Sequence, residues 1–206
     1  MKKIFHHFTL LLIINFIFIG CNSDDDLEVE EGEGVVINGI RWATSNVAAP
    51  GTFAANPEDA GMLFQWNRQQ GWAATGNVIG WDSTMPTGTE WETANDPCPL
   101  GWRVPTVQEL ESLRAVSHRW ERFSGVYGRL FGTEPNQIFL PAVGGRDYNG
   151  VIYVSVQQGG FYWSNAQGNS PHQLVGGLGL SFSALTAIGI GMARRDFGLP
   201  VRCVAK

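Results

Sequence analysis

The sequence predicts an α+β fold with twisted antiparallel strands, one or two helices and long loops. Three features predict this class: short apolar segments separated by turn residues after Gln137, a well-marked helix after Thr106, and an irregular stretch at residues 67–97. The 206 residues suit one domain with a tail, and we place that domain at residues 35–206.

The domain begins with a predicted hairpin. Val35–Ile37 and Ile40–Trp42 are joined by Asn38-Gly39, a strong hairpin signal because both central residues of such a turn adopt positive φ. A strand is predicted at Gly61–Trp66, after a loop that contains Pro50 and Pro57. Residues 67–97 are rich in Gly, Pro, Thr and Asn, which predicts a long irregular stretch.

One helix has a clear start signal. Thr106 can cap its N-terminus while Glu109 returns a hydrogen bond, which is the capping-box pattern. Leu110 and Leu113 then lie near one face, and that face is expected to pack on a sheet. A second, weaker helix is predicted over residues 118–130, although two glycines interrupt it.

From Gln137 onward the sequence predicts strands. They are Ile138–Val143, Val151–Val156, Gly160–Ser164, Leu174–Ala184, Ala187–Ala193 and Pro200–Val204. The glycine-rich run from Gly176 to Gly191 still carries Leu, Phe and Ile, so we interpret it as two strands with close backbone approach.

The N-terminal segment differs in charge from the rest of the chain. Of 14 basic and 19 acidic residues, two Lys lie in residues 1–20 and seven acids in residues 21–34, which leaves twelve of each in the domain. A balanced domain disfavours a nucleic-acid partner. Residues 21–34 are expected to be a solvated acidic tether, because like charges in a row repel one another.

Residues 1–20 have the features of a signal peptide. Two lysines precede an apolar stretch that is too short to span a bilayer. The stretch ends in Phe18-Ile19-Gly20-Cys21, which resembles the lipobox of bacterial lipoproteins and implies acylation of Cys21 and attachment to a membrane. The alternative is an ordinary signal peptide. Ser-Asp-Asp-Asp at residues 23–26 resembles a surface-export signal of Bacteroidetes lipoproteins, so we expect the outer face of the outer membrane rather than the periplasm.

The two remaining cysteines, Cys98 and Cys203, are expected to pair. An exported protein meets an oxidising environment, where two leftover cysteines tend to form a disulfide. The alternative is two buried free thiols. A catalytic thiol is disfavoured, because neither cysteine has a nearby His in the sequence to activate it.

An ordered set of motifs resembles the Fibrobacter succinogenes major paralogous domain. The strongest is Asp96-Pro97-Cys98-Pro99-Leu100-Gly101-Trp102-Arg103-Val104-Pro105-Thr106. Others are Asn38–Val47, Gly61–Trp66, Phe139–Ala142, Phe161–Ser164 and Pro200–Val204, in the expected order. The resemblance covers about residues 36–205 and implies a C-type lectin-like fold, similar to that of formylglycine-generating enzymes. A Cys98–Cys203 bridge is similar to the bridges of such domains.

The sequence offers few groups for catalysis. Formylglycine-generating enzymes use a reactive cysteine pair near the C-terminus, and this chain has only Cys203 there. Related iron enzymes use a histidine cluster, whereas the domain holds only His118 and His172. The only lysine of the domain is the terminal Lys206. We therefore predict no catalytic residues, no cofactor, no metal and no enzymatic activity.

Candidate ligand-binding residues are aromatic or lie at turns. Trp42, Trp66, Trp102 and Trp163 are expected in the core, because they lie inside the family-like motifs. For Trp72, Trp81 and Trp91, in the irregular stretch, ligand binding and core packing are both open. Predicted turns are flanked by Arg146, Arg194 and Arg195 together with Asp147 and Asp196, either as solvated pairs or as polar rims of a binding face. Glu134-Pro135-Asn136 also occurs in calcium-dependent lectins, but a turn before a strand explains it equally well.

These observations favour a surface lipoprotein with a non-catalytic binding domain. Its expected role is adhesion, glycan capture or participation in a surface or fimbrial assembly, with a glycan or a protein as ligand. The alternatives are a purely structural surface component, and an enzyme with a carboxylate or arginine site that the motifs do not reveal.

Overall fold

The computed structural model describes residues 34–154, 158–169 and 175–206. The predicted signal peptide, the lipidation residue Cys21 and the tether up to residue 33 lie outside this part of the chain. Antiparallel sheets and a short helix make up the described domain, which belongs broadly to the α+β class. None of its helices is long and apolar enough to cross a membrane.

The strands are short in the first half of the domain and longer in the second. In chain order they are β1 (Val35–Ile37), β2 (Ile40–Trp42), β3 (Met62–Phe64), β4 (Gly71–Ala73), β5 (Trp102–Arg103), β6 (His118–Phe123), β7 (Val126–Thr133), β8 (Asn136–Pro141), β9 (Gly145–Arg146), β10 (Ile152–Val154), β11 (Gly159–Asn169), β12 (Val175–Ser183), β13 (Gly189–Arg194) and β14 (Val204–Ala205). The helix α1 spans Val107–Arg114, and a 3-10 turn spans Thr93–Asn95.

The strands form five described sheets. Two have three strands each, in the orders β6-β7-β8 and β11-β12-β13, and two are the pairs β3–β4 and β9–β10. The fifth has the order β1-β2-β14-β5 and joins the two ends of the domain. In it Val204 pairs with Trp42 on one side and with Arg103 on the other.

The predicted first hairpin is confirmed. β1 and β2 pair with Ile37 opposite Ile40, and the turn residues Asn38 and Gly39 have φ of 53° and 78°. Such positive φ values are accessible to Gly and tolerated by Asn, which is why this dipeptide suits the turn. The Asn38 side chain also donates hydrogen bonds to Ser112 of α1, which ties the hairpin to the helix.

The predicted helix is confirmed together with its capping box. The Thr106 hydroxyl accepts from the backbone N–H of Glu109, and the Glu109 carboxylate accepts from the backbone N–H of Thr106 at 2.7 Å. Leu110 and Leu113 are buried, as the sequence predicts. Arg103 of β5 forms a two-bond ion pair with Glu109. Burial raises the pKa of Glu109, but the hydrogen bonds from Arg103 and Thr106 outweigh burial and leave that pKa lowered.

The predicted second helix at residues 118–130 is wrong, because this segment forms the hairpin β6–β7. Its turn, Ser124-Gly125, has φ of 46° and 89°, which an α-helix does not allow. Gly128 packs closely on β8, where an added Cβ would lie 2.5 Å from the Phe139 ring. The two glycines that disfavoured a helix are therefore needed for the turn and for the close packing of strands.

The strands predicted after Gln137 are confirmed in type, with shifted bounds. Residues 155, 156 and 174 of the predicted strands lie outside the described part of the chain. The last predicted strand shortens to Val204–Ala205. The glycine-rich run forms β12 and β13, and close approach is confirmed at Gly177, where a Cβ would lie 2.5 Å from Trp66 and 2.7 Å from Trp163.

The described core has two parts. The first packs α1 and β8 against β12, around Leu110, Leu140 and Leu180. The second lies beneath the irregular loops and contains Trp66, Trp91 and Trp163. The four tryptophans expected in the core are all buried: Trp42, Trp66, Trp102 and Trp163.

Candidate functional site

Trp91, one of the three loop tryptophans, is a core residue. Only 7% of it is exposed, and its ring lies 6.1 Å from that of Trp66. Its Nε1–H donates to the carbonyl oxygen of Asn95 at 2.9 Å, so its polar atom is also engaged within the loop. Of the two alternatives that the sequence left open for Trp91, the structure places it in the core.

Trp72 and Trp81 pack against each other. Their rings are 5.0 Å apart, and both side chains are partly buried. The Trp81 Nε1–H donates to the carbonyl oxygen of Tyr148 at 3.0 Å, and the ring fits against Gly150 and Gly198. An added Cβ at either glycine would lie 2.8 Å from Trp81. This pair therefore joins the long loop to the turn after β9.

Arg146 is neither a solvated partner nor a polar rim, because it is 1% exposed. Its guanidinium donates to four backbone carbonyls, those of Ala73, Thr75, Gly76 and Gly150, at 2.7 to 3.0 Å. Burial without a carboxylate partner lowers the pKa of Arg146. Asp147 has a different role: its Oδ1 accepts from the backbone N–H groups of Asn149 and Val151 and shapes the turn.

Two further buried arginines were not singled out as buried by the sequence. Arg195 is 4% exposed, donates to the Gly88 carbonyl at 2.9 Å and lies 4.2 Å over the ring of Trp66. Arg202 is fully buried and donates to Asn46 and to backbone carbonyls that include that of Phe139. Burial lowers the pKa of Arg202 to about 10 and raises that of neighbouring Tyr162 to about 12. No motif signals such carbonyl-bound arginines in a sequence.

Cys98 and Cys203 form a disulfide across 105 residues of sequence, so the predicted pairing is confirmed. The bridge lies in the second core cluster and ties the end of the long loop to the residue before β14.

Glu134 and Pro135 form the turn between β7 and β8, and Asn136 begins β8. Within residues 34–154, 158–169 and 175–206, no group of three or more His, Cys, Asp or Glu side chains is placed to hold a metal ion.

A large open cleft lies between the β6–β7 hairpin and the β12–β13 turn. Its volume is about 940 Å³. Its lining is mainly aromatic residues and glycines: Trp120, Tyr127, Gly144, Tyr153, Gln158, Gly159, Gly160, Phe161, Phe182, Ser183, Ala184, Leu185 and Thr186. None of these side chains carries a charge, and none belongs to the residues that the sequence singled out for ligand binding.

The hairpin supplies one wall of this aromatic cleft. Trp120 pairs with Arg129 and Arg122 pairs with Tyr127 across the β6–β7 ladder. Side chains of a strand alternate between its faces, so Trp120 and Tyr127 share the face that points toward β12. Their rings are nearly parallel, at 12° and 6.1 Å, and Trp120 also meets the edge of Phe182 at 6.5 Å.

Glycines and a second tyrosine form the rest of the aromatic cleft. Gly144, Gly159 and Gly160 bring backbone to its surface, and Gly160 packs so closely on Phe182 that a Cβ would lie 2.6 Å from its Cζ. Tyr153 is 43% exposed and packs on Phe197, with ring centroids 4.9 Å apart. Partial burial raises the pKa of Tyr153, so its hydroxyl stays protonated at neutral pH.

The β12–β13 turn forms the opposite rim and is fixed by Arg129. The Ser183 Oγ accepts from the backbone N–H groups of Leu185 and Thr186. Arg129 donates through Nη2 to the Ser183 carbonyl at 2.8 Å and the Thr186 carbonyl at 3.4 Å. Its Nη1 lies 3.2 Å from Nδ1 of His118. Leu185, at the tip of this turn, is 97% exposed.

A second, smaller cavity of about 310 Å³ is polar. It lies beside the loop's end and is lined by Glu90, Glu92, Asp96, Arg103 and Lys206, among others. Asp96 accepts from the backbone N–H groups of Cys98 and Val104, yet burial outweighs these bonds and raises its pKa. Its hydrogen bonds hold the residues around the disulfide in place, which gives Asp96 a structural role.

The sequence did not predict the aromatic cleft, because its two wall residues lie inside the wrongly predicted helix. A helix would have placed Trp120 and Tyr127 on one face but about 10 Å apart along its axis, whereas the hairpin brings their ring centroids to 6.1 Å. A turn dipeptide, Ser124-Gly125, with β-prone residues such as Phe123 and Tyr127 on both sides of it is the signal that pointed to strands. No protein-family model, no curated protein and no solved structure matches this chain.

Proposed function

We propose that this protein is a non-catalytic binding module of the bacterial cell surface, held by lipid on Cys21, that captures its ligand in the aromatic cleft. We further propose that the α+β domain is a C-type lectin-like variant. The observation that carries the proposal is the cleft itself: it is open, has a volume of about 940 Å³, and is lined by partly exposed aromatic rings, with no charged side chain among the described residues that line it.

Exposed aromatic side chains in a concave site favour ligand binding. Tyr127 and Tyr153 are 38% and 43% exposed, and Leu185 on the opposite rim is almost fully exposed. Exposed apolar side chains that line one concave site are typical of a ligand-binding groove. The cleft volume falls within the range of ligand sites, which is about 300 to 1,000 Å³.

The chemistry of the lining favours binding over catalysis. It consists of aromatic and aliphatic groups, the hydroxyls of Ser183 and Thr186, and the Gln158 amide. None of these is an activated nucleophile or a tuned acid–base pair, which enzymes use for group transfer. Capture needs only complementary shape and hydrogen bonds, and the cleft offers both.

Surface attachment rests on the N-terminal sequence. Phe18-Ile19-Gly20-Cys21 supplies the lipidation site, and the acidic residues that follow supply a solvated spacer before β1. Metabolic labelling with a fatty acid should mark the wild-type protein and leave Cys21→Ala unlabelled. Protease added to intact cells should remove the domain. Incorporation of the fatty acid into the Cys21→Ala variant would refute the lipid anchor on Cys21. A domain that resists protease on intact cells would refute its location on the outer face of the membrane.

Binding is tested by probing arrays of glycans and of extracellular proteins with the full chain in detergent. We expect at least one ligand whose binding falls about tenfold or more in Trp120→Ala, because central aromatic residues dominate binding sites. Tyr148→Ala is the matched control, since Tyr148 is 45% exposed but does not line the cleft. Absence of any ligand on both arrays, or equal binding by Trp120→Ala, would overturn the proposal.

A further inference from the structure

We infer that the ligand of the aromatic cleft is an uncharged oligosaccharide, held by its sugar rings against Trp120, Tyr127 and Tyr153. This inference rests on the proposed function, because it names the chemical class of ligand for the same cleft. It uses three properties of the lining: its lack of charge, its aromatic rings and its unpaired hydroxyl groups.

The lack of charge restricts the ligand class. A carboxylate or sulfate group laid on these rings would meet no cation among the described lining residues and would face the electron-rich surfaces of the rings. Two arginines lie on the same hairpin face, but neither lines the cleft. Arg122 packs against the ring of Tyr127, with its Cζ 5.5 Å from the ring centroid, and donates to the Gly125 carbonyl, whereas Arg129 binds the carbonyls of the β12–β13 turn. The cleft therefore disfavours an anionic ligand.

The aromatic rings suit the faces of sugars. A pyranose ring has faces lined by C–H groups, and these pack on the electron-rich face of an aromatic ring while the hydroxyls point outward. Trp120 and Tyr127 lie on the hairpin wall, and Tyr153 lies on a different element of the same cleft. Because aromatic rings line two sides of the cleft, they can contact successive sugar units of one oligosaccharide.

The polar groups of the cleft match sugar hydroxyls. Among the described residues, the hydroxyls of Tyr127 and Tyr153 have no hydrogen-bond partner, and Gln158 adds an amide at the edge. A phenol both donates and accepts, as a sugar hydroxyl does. The cleft is open, so ligand hydroxyls that find no protein partner stay hydrated. A neutral oligosaccharide can thus enter without leaving polar groups unsatisfied.

The test is calorimetric titration of the full chain in detergent with neutral hexasaccharides of β-1,4-glucose, β-1,4-mannose and α-1,4-glucose. Hexagalacturonate and a heparin hexasaccharide are the charged probes. We expect at least one neutral probe to bind, and the charged probes to bind at least about tenfold more weakly. The affinity for the neutral probe should change less than about twofold between low and high salt, because no charge pair is formed.

Variants separate stacking from hydrogen bonding. Tyr127→Ala and Tyr153→Ala should each weaken binding about tenfold, and the corresponding Phe variants about threefold, because Phe keeps the ring and loses the hydroxyl. Tyr148→Ala should bind as the wild type does. The Phe variants retain the packing of the ring, so they keep the test valid if an Ala variant does not fold.

The outcomes distinguish this inference from the proposed function. Tight binding of a charged probe, or capture of an extracellular protein without any glycan, would overturn the neutral-sugar inference and leave the binding function standing. Neutral-sugar binding that all four tyrosine variants retain would show that the sugar lies elsewhere and overturn the inference too. If no hexasaccharide binds, the neutral-sugar inference is wrong. If no ligand on either array binds, the proposed binding function is wrong as well.

Discussion

The long loop and the aromatic cleft contain similar residues in opposite surroundings. The loop holds Trp72, Trp81 and Trp91, whose indoles pack on other side chains or lie in the core. The cleft exposes Trp120, Tyr127 and Tyr153 to a cavity. Aromatic content within a segment therefore does not decide whether its rings face water. Whether the rings face water depends on which other elements pack against the segment.

Buried arginines lie beneath the long loop of residues 67–97. Irregular segments usually run over the surface, because their backbone carbonyls need hydrogen-bond donors. Arg146 supplies donors to the carbonyls of Ala73, Thr75 and Gly76 and Arg195 to that of Gly88, so the inner side of this segment is held in place while its outer side stays exposed. The hairpin β6–β7 satisfies its own backbone through strand pairing. The face of the hairpin that points toward β12 is packed at Phe131, which contacts Phe182, but is left partly open at Trp120 and Tyr127, and that part forms the cleft wall.

The largest expected effect separates one tryptophan of each region. Trp91→Ala should lower the free energy of unfolding by about 3 to 5 kcal/mol, since it leaves a cavity in the second core. Trp120→Ala should cost about 1 kcal/mol, because part of the ring already contacts water. Guanidinium unfolding measures both under oxidising conditions. An equal loss of unfolding free energy in the two variants would contradict the distinction between a packed loop and an open cleft.

The arginine explanation is tested by Arg146→Met. It keeps much of the side-chain volume but leaves four carbonyls without their donor, and we expect a loss of about 3 kcal/mol in the free energy of unfolding. Arg114→Met is the matched control, because Arg114 lies in an exposed pair with Glu111, and it should cost about 0.5 kcal/mol or less. A loss below about 1 kcal/mol for Arg146→Met would contradict the role given to arginine.

Arg129→Met tests whether the cleft depends on its rim. Loss of the bonds to the Ser183 and Thr186 carbonyls should free the β12–β13 turn and cost about 1 kcal/mol of stability. Ligand affinity should fall about fivefold, because the bound form must then order the turn. Calorimetry with the ligand found on the arrays measures this change. Arg119→Met, on the opposite face of the hairpin in an exposed pair with Glu121, should leave affinity unchanged.

The smallest effect is expected outside both regions, at the cap of α1. Because the pKa of Glu109 is lowered in the folded state, its ionised form adds stability above the ordinary value of 4.5, and this stability is lost as the pH falls through the lowered pKa. Glu109→Gln should therefore cost about 1 kcal/mol at pH 7 and nothing in stronger acid. Unfolding curves over this pH range provide the measurement, and a pH-independent cost would refute the assignment.

Local signals in the sequence predicted local structure well. Asn38-Gly39 specified its turn, Thr106 and Glu109 specified the helix start, and two cysteines in a chain expected to be exported specified their bridge. The first two signals depend on residues that are close in sequence. The third depends on there being only two cysteines, apart from Cys21, that can pair. The α+β class followed from the same signals, whereas the hairpin at residues 118–133 was not predicted, because its residues do not alternate between apolar and polar along either strand.

The candidate site depends on contacts that the sequence does not encode locally. Trp120, Tyr153 and Phe182 come from three separate elements, and only the packing of those elements brings them to one cleft. The burial of Arg146 depends on carbonyls about 70 residues away in the sequence. Hydrogen bonds to backbone leave no trace in residue type, because any residue can supply a carbonyl.

The disulfide also determines how the domain carries mechanical tension. Every residue that lines the cleft lies between Cys98 and Cys203, inside one covalently closed loop. Tension applied between the two ends of the domain passes through the sulfur atoms and bypasses residues 99–202, which would otherwise extend by roughly 350 Å. A pull that strips away the strands before Cys98 therefore leaves the aromatic cleft within an unbroken ring of chain.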